Sequence, residues 1–234
     1  MIARVLEPEV MDTPGEAAEY DAMDHSDVNQ VFVDDLLAAF AKRRTTPSAW
    51  DQSGCRPTVL DIGTGTALIP VGLCRRDEFV GQVIAIDLAD EMLTLARRNI
   101  DRAGLSRRVR VERIDAKSMP YADASFDVVT SNSIVHHIPD PLVVLREMVR
   151  VLSSGGLLFV RDLLRPESEA DVERIVQAQA ADETPRSRQL FRQSLWAALT
   201  VAELQELAET LSLPRECVRQ TSDRHWTLSW RRPA

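Results

Sequence analysis

Apolar positions along this chain recur first at helical spacing and then in short, dense runs. Phe32, Leu36 and Phe40 fall four residues apart, which lines one face of a helix beginning near Ser26 or Asp27. Downstream, five short apolar runs at 58–62, 83–87, 109–114, 125–130 and 157–161 read as strands. Helical patterns lie between most of them. One covers 66–75, interrupted or shifted by Pro70. Another covers 91–100, with Asp90 as its cap and Gly104 as a left-handed stop. Asp140-Pro141 places a capping acid before proline at the first helical position, followed by the stripe Leu142, Leu145, Met148 and Val149. Ser153 to Gly156 reads as a turn into the fifth strand. Short strands separated by crossover helices predict parallel pairing and a sheet covered on both faces. The order of the strands is not contained in this pattern.

The rhythm changes after Asp162. A charged helix is expected over 167–182, a break over 183–188 and a short amphipathic stretch over 191–199. Thr200 and Glu203 have the spacing of a reciprocal capping box, opening a helix to about Leu211. Runs at 218–221 and 226–230 are joined by a short polar connection, which suits an antiparallel pair. No internal repeat or second domain is visible, so 1–234 reads as a single domain of α/β class.

Composition narrows the picture. With 234 residues the chain can bury a core without disulfides or metal. Its net charge of -8 gives no support to a broad nucleic-acid-binding face. Cys55, Cys74 and Cys217 are odd in number and widely spaced, as expected for thiols in a reducing compartment. The N-terminus lacks the apolar core of a secretion signal, and no run is long enough to span a bilayer. The expectation is a soluble cytoplasmic protein.

Candidate chemistry starts at Asp61-Ile-Gly-Thr-Gly-Thr-Ala67, between a strand and a helix. Gly63 and Gly65 permit unusual dihedrals and let a ligand approach the backbone. The same residues also suit an ordinary strand-to-helix turn. The segment is neither a GxxxxGK[ST] phosphate loop nor a complete dinucleotide fingerprint, because the third glycine is missing. Asp87, followed by Leu88, ends the second strand, where an acid can accept from ribose hydroxyls or stand as a plain strand-end acid. Asp61 can organise the glycine turn or cap the following helix. At the third strand end, Asp115 suits an adenine amino group and the Ala116 backbone its ring edge. Met92 would cover the other face or belong to the core. The polar segment 130–137 falls at the carboxyl side of the sheet. His136 and His137 within it cannot both point one way from a regular element. With no cysteine or acidic ligand nearby in sequence, they give no metal site.

Taken together, Asp61-Ile-Gly-Thr-Gly-Thr, Val83-Ile-Ala-Ile-Asp87, Asp115-Ala116 and the segment 120–129 resemble class I S-adenosylmethionine-dependent methyltransferases. The segment 145–158 resembles that family's helix-turn-strand unit, so the likeness covers roughly residues 20–165. The resemblance implies a Rossmann-like, mostly parallel seven-strand sheet ending in an antiparallel hairpin, with S-adenosyl-L-methionine as cofactor and no metal. It implies that Gly63 and Gly65, beside Asp61, approach the amino-acid part of the cofactor. Asp87, with Leu88, would hold the ribose, and Met92, Asp115 and Ala116 would surround adenine. Asn132 or Ser133 would lie beside the methionine moiety. His136 or His137 would lie near the transferred methyl, as a candidate base.

The same likeness makes 1–45 an N-terminal helical lid carrying Tyr20, His25 and Asn29. Acceptor specificity is expected over 162–200, where Arg192 and Trp196 combine charge with aromatic surface, and at a rim formed by Arg224 and His225. An acidic chain favours a small-molecule methyl acceptor. RNA is the alternative acceptor, and a noncatalytic cofactor-binding regulator or scaffold is the reading from a different class.

Overall fold

The structure is a computed structural model that describes residues 2–8, 12–22, 26–42 and 56–234, without the side chains of residues 16, 19, 20 and 22. His25, Cys55 and the rest of residues 43–55 lie outside the described residues. Two helices come first, α1 (Pro14–Ala22) and α2 (Ser26–Ala41). The alternating region follows: β1 (Thr58–Ile62), α3 (Leu68–Cys74), β2 (Gln82–Asp87), α4 (Asp90–Arg102), β3 (Val109–Arg113) and β4 (Phe126–Asn132). It continues through α5 (Pro141–Val151) and β5 (Leu152–Leu163). Helices α6 (Glu169–Gln179), α7 (Pro185–Ala197) and α8 (Val201–Thr210) lead to β6 (Val218–Gln220) and β7 (His225–Arg231).

The strands form one seven-stranded sheet in the order β3-β2-β1-β4-β5-β7-β6. Strands β1 to β5 pair in parallel, and β7 runs antiparallel between β5 and β6. Apolar side chains cover both faces. Phe32, Val33 and Leu36 of α2 pack with Val59, Val83 and Phe159 on one side. Val144, Leu145 and Met148 of α5 pack with Leu60, Val129 and Leu158 on the other. Strand order reverses between β1 and β4, which opens a crevice at their carboxyl ends, the ligand position of open α/β sheets.

Helix α2 is tied to the sheet by a buried cation. Arg161 on β5 donates to Asp35 at 2.6 Å and to Thr227 at 2.9 Å. Its guanidinium lies 5.7 Å from the ring centroids of both Phe32 and Phe159. An arginine buried this way is held by charge, hydrogen bonds and aromatic faces at once.

Several local expectations are corrected. Pro70 does not interrupt α3, because it stands in the first turn, where its missing N–H has no intrahelical partner to lose. Asp90 is inside α4 and does not cap it; the flanking residue is Ala89, and the Asp90 carboxylate lies 3.2 Å from Arg113. Residues 153–156 form no turn. They belong to β5, whose pairing with β4 shifts register between Phe126 and Val128. Gly156 is required there, since a Cβ would meet the Asp127 carbonyl at 3.0 Å and the Ser153 carbonyl at 2.8 Å. The break expected at 183–188 is shorter, because the Thr184 hydroxyl accepts from the Ser187 amide and starts α7 at Pro185. The Asp140 cap and the Thr200–Glu203 capping box form as expected.

Candidate functional site

At the carboxyl end of β1 the chain turns through Gly63 (φ 68°) and Gly65 (φ 54°), dihedrals that favour glycine. The amides of Gly63 and Thr64 both donate to the Ile86 carbonyl at 2.9 Å. Gly65 donates to Asp87 Oδ2 at 2.8 Å, and Ala89 donates to Asp87 Oδ1 at 3.0 Å. A carboxylate at the exit of β2 therefore holds the turn at the exit of β1. Burial pushes the Asp87 carboxyl above its ordinary pKa, while the amides of Ala89 and Gly65 pull it back. Gly63 also has no room for a side chain, because an added Cβ would lie 2.1 Å from Ile134 Cγ2.

These residues open onto a cleft of about 130 Å³. Asp87, Leu88 and Met92 line one side, and Asp115 and Ala116 another. Asn132, Ser133 and His137 close it from the β4 exit. Ile114, Lys117 and Ile134, which were not anticipated, also contribute. A smaller cavity beneath the glycine turn is lined by Asn29, Asp61, Thr64, Thr66 and Asn132. Three polar atoms there are buried and lack a hydrogen-bond partner: Asp61 Oδ2, Thr64 Oγ1 and Thr66 Oγ1. Burial pushes the Asp61 carboxyl up to about 7, the nearby Thr64 hydroxyl lowers it without closing a well-formed hydrogen bond, and the Asp87 charge adds to the rise. Unpaired buried polar atoms are costly. Grouped around a cavity, they form a ready set of partners for a polar, charged ligand end.

The two histidines separate in role. A 3-10 turn over Val135–His137 sets their rings 4.2 Å apart, contrary to the expectation that neighbours must diverge. Regular elements impose that divergence, and a tight turn does not. His136 is buried outside the cleft lining. Its Nδ1 is 2.5 Å from Asp162 Oδ1, and its amide donates to Asp162 Oδ2 at 3.1 Å. Burial disfavours the charged ring, but Asp162 and then Glu7 outweigh it and raise the His136 pKa. His137 lines the cleft and is driven down to about 3, by burial first and by His136 second. Acidic partners do exist for these rings, at Glu7 and Asp162, far away in sequence. The N-terminal segment reaches them because Arg4 donates to the carbonyls of Ala197 (2.7 Å), His136 (3.1 Å) and Ile138 (3.0 Å).

The residues expected to meet an acceptor are scattered. Asn29 reaches the small cavity from α2. Tyr20 lies on α1, but its side chain is outside the described residues, as is all of His25. Arg192 is not at the cleft; it forks onto Glu173 at 2.5 and 2.8 Å and joins α7 to α6. Trp196 packs against the apolar cluster of α6 and α7. Arg224 pairs with Asp223 at 3.3 Å, and His225 Nδ1 bonds Ser222 Oγ at 2.9 Å. Neither Arg224 nor His225 lines the cleft. Asp162 carried the same strand-end signal as Asp87 and was findable by it. Glu7 carried none.

Comparison with known proteins agrees with the fold. Residues 60–160 match a family model described as "Methyltransferase domain". A demethylmenaquinone methyltransferase from Porphyromonas gingivalis is 35% identical over 111 residues, covering 47% of this chain and 45% of that protein. A ubiquinone/menaquinone biosynthesis C-methyltransferase from Marinomonas sp. is 33% identical over 155 residues, covering 65% of this chain and 58% of the relative. The matched part thus spans about half the length of these relatives. A solved S-adenosylmethionine-dependent methyltransferase from Aquifex aeolicus superposes with a TM-score of 0.62 at 19% identity, covering 93% of this chain and 97% of the other. Residues 60–160 thus match a methyltransferase domain, and the whole chain has the fold of solved S-adenosylmethionine-dependent methyltransferases. Among the described residues, no helix is long and apolar enough to cross a membrane.

Proposed function

We propose that this protein transfers a methyl group from S-adenosylmethionine to a small-molecule acceptor. The observation that carries the reading is the meeting of Asp87, fixed on the glycine turn, with the unpartnered atoms of Asp61, Thr64 and Thr66. A zwitterionic ligand end fits that set: Asp61 would take its ammonium, and the hydroxyls of Thr64 and Thr66 its other polar atoms. Asp87 would hold the ribose with its remaining lone pairs. Met92, Asp115 and Ala116 would enclose the base. When bound, S-adenosylmethionine supplies a methyl group made electrophilic by its sulfonium.

The chain's own part is alignment and exclusion of water. Asn132, Ser133 and Ile134, which line the cleft at the β4 exit, would form the wall between donor and acceptor. His137 is neutral at physiological pH and turns Nδ1 towards Glu7 and the Pro8 carbonyl, so Nε2 is the atom left to orient an acceptor. It therefore serves better as an orienting group than as a base that stores a proton. The acidic net charge favours a small molecule over RNA. The quinone-pathway names of the relatives point the same way. Labelled methyl transfer to a fractionated metabolite pool tests the reading. Label in a small organic product supports it. Label only in RNA, or bound donor without any transfer, contradicts it.

A further inference from the structure

Glu7, His136 and His137 meet beside the donor cleft in an arrangement that methyl transfer does not require. Glu7 Oε1 stands 3.3 Å from His136 Nε2 and 3.2 Å from His137 Nδ1. Three ligand atoms from these residues lie within 4.8 Å of one another. The Glu7 side chain is 8% exposed, and its Oε1 is buried without a hydrogen bond.

We propose that Glu7, His136 and His137 bind a divalent transition-metal ion, Zn²⁺ foremost, which clamps the N-terminal segment onto the histidine turn.

Three features carry the assignment. The first is spacing. An ordinary ion pair would draw Glu7 onto one ring at about 2.8 Å. Here the carboxylate oxygen stands almost equally far from both, at 3.2 and 3.3 Å. Ligands at about 2.0–2.1 Å from a tetrahedral ion are separated by roughly 3.3 Å, which matches both distances from Glu7 Oε1. The second is the donor set. Two imidazoles and one carboxylate are ligands zinc takes, with water in the fourth position. The third is the support around the ligands. Asp162 accepts from His136 Nδ1 at 2.5 Å, which turns Nε2 towards Glu7, where an ion would take the place of a proton. A carboxylate behind a ligating imidazole is the usual outer partner in such sites.

The ion would join residues 129 positions apart in sequence and orient His137, whose ring also faces the donor cleft. Metal binding itself does not depend on the methyl-transfer reading, and its test is independent of activity. Full-length protein is stripped with chelator and titrated with Zn²⁺ by calorimetry, and with Co²⁺ by visible absorption. The expected result is one ion per chain, tetrahedral Co²⁺ bands without sulfur charge transfer, and a Tm that rises with Zn²⁺ concentration. Glu7→Gln and His137→Gln should each weaken binding by at least about tenfold. Glu7→Gln keeps the side-chain volume, and its folding is checked by circular dichroism. No retained ion overturns the proposal. So does undiminished binding in a folded Glu7→Gln, or a cobalt spectrum showing thiolate ligation. The cobalt spectrum of the unmodified protein decides the matter even where a variant does not fold.

Discussion

The Asp87 carboxylate accepts the Gly65 amide at 2.8 Å, so the exits of β1 and β2 share one hydrogen-bonded knot. The same carboxylate accepts from Ala89 at the start of α4. Removing it strips the turn of its anchor and the cleft of its principal acceptor. Asp87→Ala should cost about 1.5–3 kcal/mol of donor binding, roughly a 10- to 100-fold weaker Kd by calorimetry. An unchanged affinity would remove Asp87 from the donor site.

Gly63 is a steric requirement as well as a conformational one. Its φ is 68°, and an alanine methyl would sit 2.1 Å from Ile134 Cγ2. Gly63→Ala should lower stability by about 1–3 kcal/mol and weaken donor binding. Adding Ile134→Ala should recover part of the stability but not the dihedral cost. Thermal unfolding of the two variants measures both effects, and a Gly63→Ala Tm equal to that of the unmodified protein would contradict the crowding.

Asp61 gives the donor site a pH dependence with a defined sign. Its carboxyl is raised from 3.8 to about 7 by burial, so the folded chain holds a proton that the unfolded chain has released. The ligand-free protein therefore loses stability from this group as pH rises from about 4 through about 7. A cationic donor end prefers the ionised carboxylate, so donor affinity should strengthen as pH rises through about 7. Asp61→Asn should flatten that slope. Calorimetric Kd values between pH 6 and pH 8 test it, and an equal slope in the variant would exclude Asp61.

Arg192 supplies the converse test. Its fork to Glu173 joins two helices away from the cleft, on an exposed surface where ion pairs contribute little. Arg192→Ala should leave donor affinity and transfer rate unchanged. A large rise in the acceptor KM would return this residue to the acceptor site.

Much of the cleft lining was legible because it is local. A glycine turn after a strand, an acid at the end of the next strand and a further acid at the end of the third all sit at fixed places in a βαβ pattern, and the structure gathers Gly63, Asp87 and Asp115 into one cleft. Glycines misled at Gly155-Gly156, where Gly156 answers backbone crowding in an irregular strand pair and Gly155 a positive φ of 72°, inside a strand rather than a turn. The described residues expected to meet an acceptor do not join that cleft, for a different reason. Arg192, Trp196, Arg224 and His225 have the right chemical types, but salt bridges, packing and a hairpin turn use them locally. The Glu7–His136–Asp162 chain depends on contacts 129 and 26 residues apart in sequence, and no periodicity encodes those.

The account rests on which cofactor the cleft accepts. Calorimetric titration of the full chain with S-adenosylmethionine and, separately, with NAD measures this directly. One site per chain for S-adenosylmethionine, weakened in Asp87→Ala, and no saturable heat from NAD is the predicted result. Tight NAD binding without S-adenosylmethionine binding would contradict it.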